Sequence, residues 1–167
     1  FPAFVKGGRG YVSVSDMRSL VDPLLNTRNL YKQKIQTIVL DPGHGGKDCR
    51  ALGKITQEKL INLRLAKRLA EFLTRMGYNV VLTRNGDSTL TLEQRTGIAA
   101  QRKADLFLAL HVNSAADRSI SGIETFCLTP SGAPSSNGGN PDYRRLNGNR
   151  FDSNNIMLAY CMQRNLL

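Results

Sequence analysis

At 167 residues, 41% of them hydrophobic and 7% aromatic, the chain is long enough for one domain with a real core and is ordinary for a soluble globular protein. Lys and Arg number 23 against 13 Asp and Glu, and the formal charge of +10 suits a polyanionic partner such as nucleic acid, an anionic membrane surface or a bacterial cell wall. The basic residues are scattered rather than interleaved with aromatics along a stripe, so a nucleic-acid partner has only bulk charge behind it and is not expected. No window is apolar over the length a bilayer requires, so no transmembrane segment is expected either.

The first 36 residues are mixed. The opening Phe1-Pro2-Ala3-Phe4-Val5-Lys6 lacks the basic-then-apolar order of a signal peptide, so the protein is expected either to be intracellular or to have lost such a signal. Gly7-Gly8 breaks the segment, and the alternation Tyr11-Val12-Ser13-Val14 predicts a short strand. Residues 1–36 are expected to form an extension or linker ahead of a domain spanning 37–167.

Regular patterning begins at Thr37. Ile38-Val39-Leu40 reads as a buried strand, and 57–76 as a helix with Ile61, Leu65, Leu69, Phe72, Leu73 and Met76 on one face, stopped by Gly77. The pattern repeats with a strand over 79–84, a helix over 90–103 and a strand over 106–111, whose unbroken apolar run suits a sheet covered on both faces. Strands alternating with helices predict an α/β fold, a single domain with a mostly parallel twisted sheet and helices on both of its faces. The next strand, 122–129, follows too soon for a parallel crossover and is expected to run antiparallel. Residues 129–152, rich in Pro, Gly, Ser and Asn, read as a mobile loop, and 153–167 as a helix. That helix has neither a cap nor a strand after it, which predicts a polypeptide continuing past Leu167 and a domain whose C-terminal strands lie outside these residues.

The most specific stretch is DPGHGGKD, residues 41–48. A phosphate-cradling loop would need GxxxxGK[ST], or GxGxxG leading directly into a helix, and neither is present. The chain holds two histidines, His44 and His111, and each follows a strand of the same expected parallel sheet. The carboxyl ends of such strands share one edge, where ligands bind, so both imidazoles arrive in one crevice and suggest a metal. A catalytic zinc site commonly takes three protein ligands, His2Glu among the standard sets, so the third is expected from a nearby carboxylate, and Glu58 in the first turn of the first helix lies again at the carboxyl edge of the sheet. The same Glu58 also favours the helix macrodipole at that position with no metal at all. Cys49, Cys127 and Cys161 are odd in number and lack CxxC spacing, so they indicate neither a disulfide framework nor a thiolate zinc site.

Taken together, DPGHGGKD, the Glu58-Lys59 pair opening a helix, LTR at 82–84, LEQR ending at Arg95 and ADLFLALHVNS at 104–114 resemble the zinc-dependent N-acetylmuramoyl-L-alanine amidases of the amidase-3 type. The resemblance is close over 37–129 and looser over 153–167. It implies a peptidoglycan hydrolase that cleaves the amide between N-acetylmuramic acid and the L-alanine of the stem peptide. It also implies one Zn²⁺ held by His44, Glu58 and His111, and action outside the cytoplasm, in the periplasm or cell wall, on a muropeptide substrate. A monomer is expected. Three departures stand out: Cys49-Arg50 where the family has Pro-Gly, Ala100 where it has Asn, and the absence up to Leu167 of the later strand that carries the family's catalytic Glu. The general base is therefore expected after Leu167. Within the chain the candidate is Glu124, which an antiparallel strand would start near the metal edge, though a solvent-facing role suits it too. Asn113, Arg84 and Arg95 are candidate substrate contacts; a turn for Asn113, and a salt bridge tying loop to helix for the arginines, are the structural alternatives. The rival from another class is a wall-binding module that keeps this fold and its zinc without catalysis.

Overall fold

A computed structural model of the chain describes residues 4–48, 57–113, 117, 119–135 and 140–167. In chain order the elements are β1 (Phe4–Lys6), β2 (Arg9–Tyr11), α1 (Val14–Asp16), α2 (Asp22–Leu25), β3 (Thr37–Pro42), α3 (Glu58–Arg75), β4 (Asn79–Leu82), α4 (Leu92–Gln101), β5 (Leu106–Leu110) and α5 (Asp152–Leu166). They form two compact units: Gln33–Ile120 on the one hand, and Phe1–Lys32 with Ser121–Leu167 on the other.

The unit Gln33–Ile120 is an α/β assembly with a parallel three-stranded sheet in the order β4-β3-β5. The chain steps from β3 to β4 in one direction and from β4 across to β5 in the other. Right-handed crossovers of that kind set α3 and α4 on opposite faces. The β-branched start of β3 favours extended backbone, and its central place buries Ile38, Val39 and Leu40 to 4% exposure or less. In β5 the residues alternate instead, with Phe107 and Ala109 exposed between half-buried leucines. Helix α3 ends in a Schellman motif, with Tyr78 N–H donating to Leu73 O and Gly77 N–H to Thr74 O, and Gly77 supplies the positive φ of 92° that this ending requires. Helix α4 opens on a capping box between Thr91 and Gln94.

One expectation about α3 is corrected. Leu65, Phe72 and Met76 are exposed, at 46%, 54% and 58%, while Glu58, Lys59, Asn62 and Ala66 are buried. The helix turns a polar first half inward because Lys59, the Asn62 amide N–H group and Glu58 find partners at the sheet's carboxyl edge, although the buried Asn62 Oδ1 has no hydrogen-bond partner among the described residues.

At the opposite edge of the sheet, Asp105 accepts the N–H groups of Gln36 and Thr37, each at 2.9 Å, and the Gln33 side-chain amide at 2.7 Å. The two backbone bonds, Thr37 foremost, hold its carboxyl below the usual aspartate range. Because the folded pKa is depressed, the stabilisation is present above the unfolded value of about 4 and is lost as pH falls through the lower folded value. Asp105→Asn is expected to lower the urea midpoint at neutral pH, with the difference from the unsubstituted chain closing in acid; a pH-independent difference would contradict this role.

In the other unit, β1 and β2 pair antiparallel across a two-residue turn at Gly7 and Gly8, with φ of 58° and 71°, the twist such hairpins favour. The strand expected at 11–14 ends at Tyr11 because the Ser13 hydroxyl accepts Asp16 N–H and caps α1. A 3-10 turn, Asn147–Phe151, leads into α5. Asn154 of α5 is tied to the Tyr31 backbone in both directions, at 3.0 and 2.9 Å.

The strand expected at 122–129 is absent, a further correction. Gln163 of α5 donates to Ile123 O at 2.7 Å and accepts from the Thr125 hydroxyl at 2.8 Å, and Asn149 donates to Thr129 O at 2.9 Å. Side chains thus take up the Ile123 and Thr129 carbonyls that a sheet ladder would have used. Within the expected mobile loop 129–152, Gly132 N–H donates to Asp142 O, and residues 136–139 lie outside the described residues.

Candidate metal centre

The first ligand loop leaves the end of β3. Gly43 N–H donates to Leu110 O at 2.9 Å, extending the β3–β5 pairing by one step, so His44 and His111 each follow directly on the last paired residues. A side chain at 43 would run into the His111 ring, which reserves that place for glycine. His44 has a left-handed φ of 61°, uncommon for a residue with a Cβ. The conformation persists because the loop around it is held from several sides.

Arg95 donates to Pro42 O at 3.1 Å and to His44 O at 2.9 Å, and pairs with the Asp41 carboxylate at 2.7 Å. Thr83 donates its hydroxyl to the same carboxylate. Arg84 donates to Pro42 O at 2.8 Å, to Gly43 O at 2.9 Å and to Lys59 O at 2.8 Å. Burial, and then the neighbouring Arg95 charge, draw Arg84 below the ordinary guanidinium range; from so high a starting value it stays protonated. The two arginines are only 3% and 5% exposed. Their donors face backbone carbonyls and, for Arg95, the Asp41 carboxylate, which is the loop-tying arrangement given above as the alternative to substrate contacts.

Around that loop, His44, Glu58 and His111 come together, their ligand atoms all within 4.8 Å of one another. His44 Nε2 and His111 Nδ1 each lie 3.3 Å from the same oxygen of Glu58, and the two rings meet edge to face with centroids 4.8 Å apart. Glu58 is buried, His44 nearly so, and the His111 side chain is 42% exposed, which leaves the group open on one side. Val112 N–H donates to the Glu58 oxygen at 3.0 Å and the Asn62 amide reaches it at 3.4 Å. Asp48 meets His44 Nδ1 at 3.0 Å, which directs Nε2 inward.

The donor set fits a divalent metal. Two imidazole nitrogens and one carboxylate oxygen form a common zinc set, and a carboxylate 6% exposed whose titratable neighbours among the described residues are two histidines needs a compensating positive charge. Among the described residues this is the one His/Cys/Asp/Glu trio so gathered.

Asn113 is exposed two residues beyond His111, and Glu124 is exposed in the other compact unit. Cys127 and Cys161 also belong to that unit; burial, aided by Asp152, pushes the Cys127 thiol up, which makes it a poor thiolate. Cys49 and Arg50 lie outside the described residues. The exposed Ala100 offers its carbonyl to Lys103 N–H at the end of α4. Sequence reasoning passes over Asn62, Asp87 and Thr89, and assigns Asp48 and Lys59 no role beyond their place in the motifs. Asn62 alone carries a usable signal, because four residues past Glu58 it shares that residue's helix face.

The family model for N-acetylmuramoyl-L-alanine amidase, Amidase_3, matches residues 38–167. The chain is 35% identical over 141 residues to N-acetylmuramoyl-L-alanine amidase AmiA of Escherichia coli strain K12, a match covering 78% of this chain and 49% of that protein. It is 41% identical over 100 residues to AmiC of Escherichia coli O6:H1, covering 59% of this chain and 24% of that protein. The chain thus spans less than half the length of either relative. Among solved structures it is similar to the catalytic domain of CwlV, an N-acetylmuramoyl-L-alanine amidase from Bacillus (Paenibacillus) polymyxa var. colistinus. The TM-score is 0.55 at 35% identity, over 59% of this chain and 56% of that one. An N-acetylmuramoyl-L-alanine amidase from Clostridium difficile 630 gives a TM-score of 0.52 at 34% identity, over 56% of this chain and 52% of that one. A parallel sheet that delivers two histidines and a buried carboxylate to one edge, and a family match over most of its length, place this chain in the Amidase_3 family of N-acetylmuramoyl-L-alanine amidases.

Proposed function

We propose that the chain carries the metal centre of a zinc-dependent peptidoglycan amidase that cleaves the amide between N-acetylmuramic acid and the L-alanine of the stem peptide. The observation that carries this is the meeting of His44, Glu58 and His111 at the carboxyl edge of the sheet, with both histidines 3.3 Å from one buried carboxylate oxygen. His44, Glu58 and His111 would hold one Zn²⁺, which when bound would supply Lewis-acid polarisation of a carbonyl and a water acidified toward a pKa of about 7. Glu58 brings the negative charge, anchored by Val112 N–H and Asn62. Asp48 keeps the His44 ring in register, and the exposed flank of His111 admits the substrate. Asn113, exposed beside it, is placed to meet a substrate carbonyl.

A carboxylate must also take the water's proton and return it to the leaving amine, a contribution of about 100- to 10,000-fold. Within these residues the candidate for that role is Glu124, exposed in the unit that holds α5. Loss of activity in Glu124→Gln supports it, and activity indifferent to that substitution assigns the role to another carboxylate. The site of action is extracytoplasmic, where the substrate lies, and the +10 charge favours retention on an anionic wall; the protein acts as a monomer.

Digestion of purified sacculi with the full-length protein and zinc tests the assignment. Free stem peptides are the expected product. Glycan fragments with peptides still attached would point to another hydrolase, and tight binding without release to a wall-binding module.

A further inference from the structure

Two of the three gathered side chains come from segments that a single surface carboxylate ties together. Asp87, in the turn after β4, accepts Gly46 N–H on Oδ1 at 2.7 Å and the Lys59 ammonium on Oδ2 at 2.7 Å. Gly46 stands two residues past His44, and Lys59 is the residue after Glu58. Lys59 also donates to Gly46 O at 2.7 Å, so the peptide groups on both sides of Gly46 are held by one linked pair. The Lys59 side chain is 8% exposed and that of Asp87 46%: a buried ammonium meets a carboxylate that reaches in from the surface. These two bonds, Lys59 first and Gly46 second, hold the Asp87 carboxyl below the usual range.

The same turn grips the loop again at Thr89, whose hydroxyl accepts Lys47 N–H at 3.0 Å and donates to Gly45 O at 3.2 Å. Gly46 has a φ of 58° and lies so close to Thr89 that a Cβ would collide with it. A loop with three glycines in four residues, 43–46, has many conformations available, and its order has to be imposed by such contacts.

We propose that Asp87 is a positioning residue for the metal: by pinning Gly46 and Lys59 it fixes His44 and Glu58 relative to each other before any ion arrives, so that binding carries no cost of ordering the loop. The inference rests on the metal reading given above. It predicts that a residue outside the His44–Glu58–His111 trio sets affinity for the ion. Because Asp87 is half-exposed, its removal leaves the sheet core of Ile38, Val39 and Leu40 intact.

The test is zinc affinity by competition with a chromophoric chelator, together with the visible absorption of the Co²⁺-substituted protein, on the full chain. Asp87→Ala is expected to weaken zinc binding by about 10- to 100-fold and to alter the Co²⁺ spectrum. Asp87→Asn, which keeps an acceptor for Gly46 N–H and loses the charge facing Lys59, is expected to fall between. A lower melting temperature with unchanged affinity and spectrum would mark a merely structural residue and overturn the proposal. Should Asp87→Ala not fold, Asp87→Asn and Thr89→Val decide, and unchanged affinity in both overturns it. Failure of the unsubstituted chain to take up zinc overturns the metal reading and this inference together, whereas uptake by that chain with no effect at Asp87 overturns this inference alone.

Discussion

Alanine at His44 or at His111 is expected to remove stoichiometric zinc from the purified protein and to reduce release of stem peptides from sacculi to background. Each replacement deletes one of three donors, so affinity should fall by more than the ~10- to 100-fold typical of losing a supporting contact. The fold is expected to persist, since the buried core residues Ile38, Val39, Leu40 and Ala66 remain in place in either variant. His44→Gly is the informative companion. It removes the ligand while relieving a left-handed backbone that costs ~1–2 kcal/mol in a residue with a Cβ, so it should match His44→Ala in lost zinc and exceed it in stability. Metal analysis after dialysis, with far-UV circular dichroism and thermal melts, checks both halves; full zinc retention in either alanine variant contradicts the ligand assignment.

Asp41→Asn is expected to be the most destabilising single polar substitution in the sheet unit, by about 3–5 kcal/mol. Asp41 is 4% exposed and Arg95 5%, and the pair meets at 2.7 Å. Neutralising the acid strands a guanidinium away from water, and the penalty is that of an orphaned buried charge rather than of one lost contact. Adding Arg95→Met should therefore recover part of the loss, a non-additivity that urea unfolding of the two single variants and the double variant measures. The exposed pair of Asp142 and Arg144 gives the contrast. Arg144 holds the Asp142 carboxyl down to about 2, yet both side chains are well exposed, so solvent screens the pair and Asp142→Asn is expected to leave the unfolding midpoint nearly unchanged.

The metal trio is legible in the amino-acid sequence for a topological reason. A chain with two histidines, each directly after an apolar strand of one parallel sheet, has no choice but to deliver both to the carboxyl edge, and the first helix starts there with Glu58. The orientation of that helix is not legible from its apolar stripe. Periodicity counts hydrophobic residues, whereas α3 buries Lys59 and Asn62 because their partners, Gly46 O with Asp87 and Gly43 O, come from distant turns. Arg84 and Arg95 are ambiguous for a related reason: a guanidinium at a strand end serves a substrate carboxylate or a row of backbone carbonyls equally well, and only the path of the 42–44 backbone decides. The stretch 122–129 has the β-branched and aromatic residues of a strand, but Gln163, some forty residues on, takes the Ile123 carbonyl and the Thr125 hydroxyl. Nothing within 122–129 signals that competitor.

Anomalous diffraction at the zinc edge from crystals of the zinc-loaded protein tests the metal centre most directly. The expected result is one strong peak within bonding distance of a nitrogen of His44, a carboxylate oxygen of Glu58 and a nitrogen of His111. A peak at other residues, or the three side chains lying apart in a zinc-loaded crystal, would contradict it.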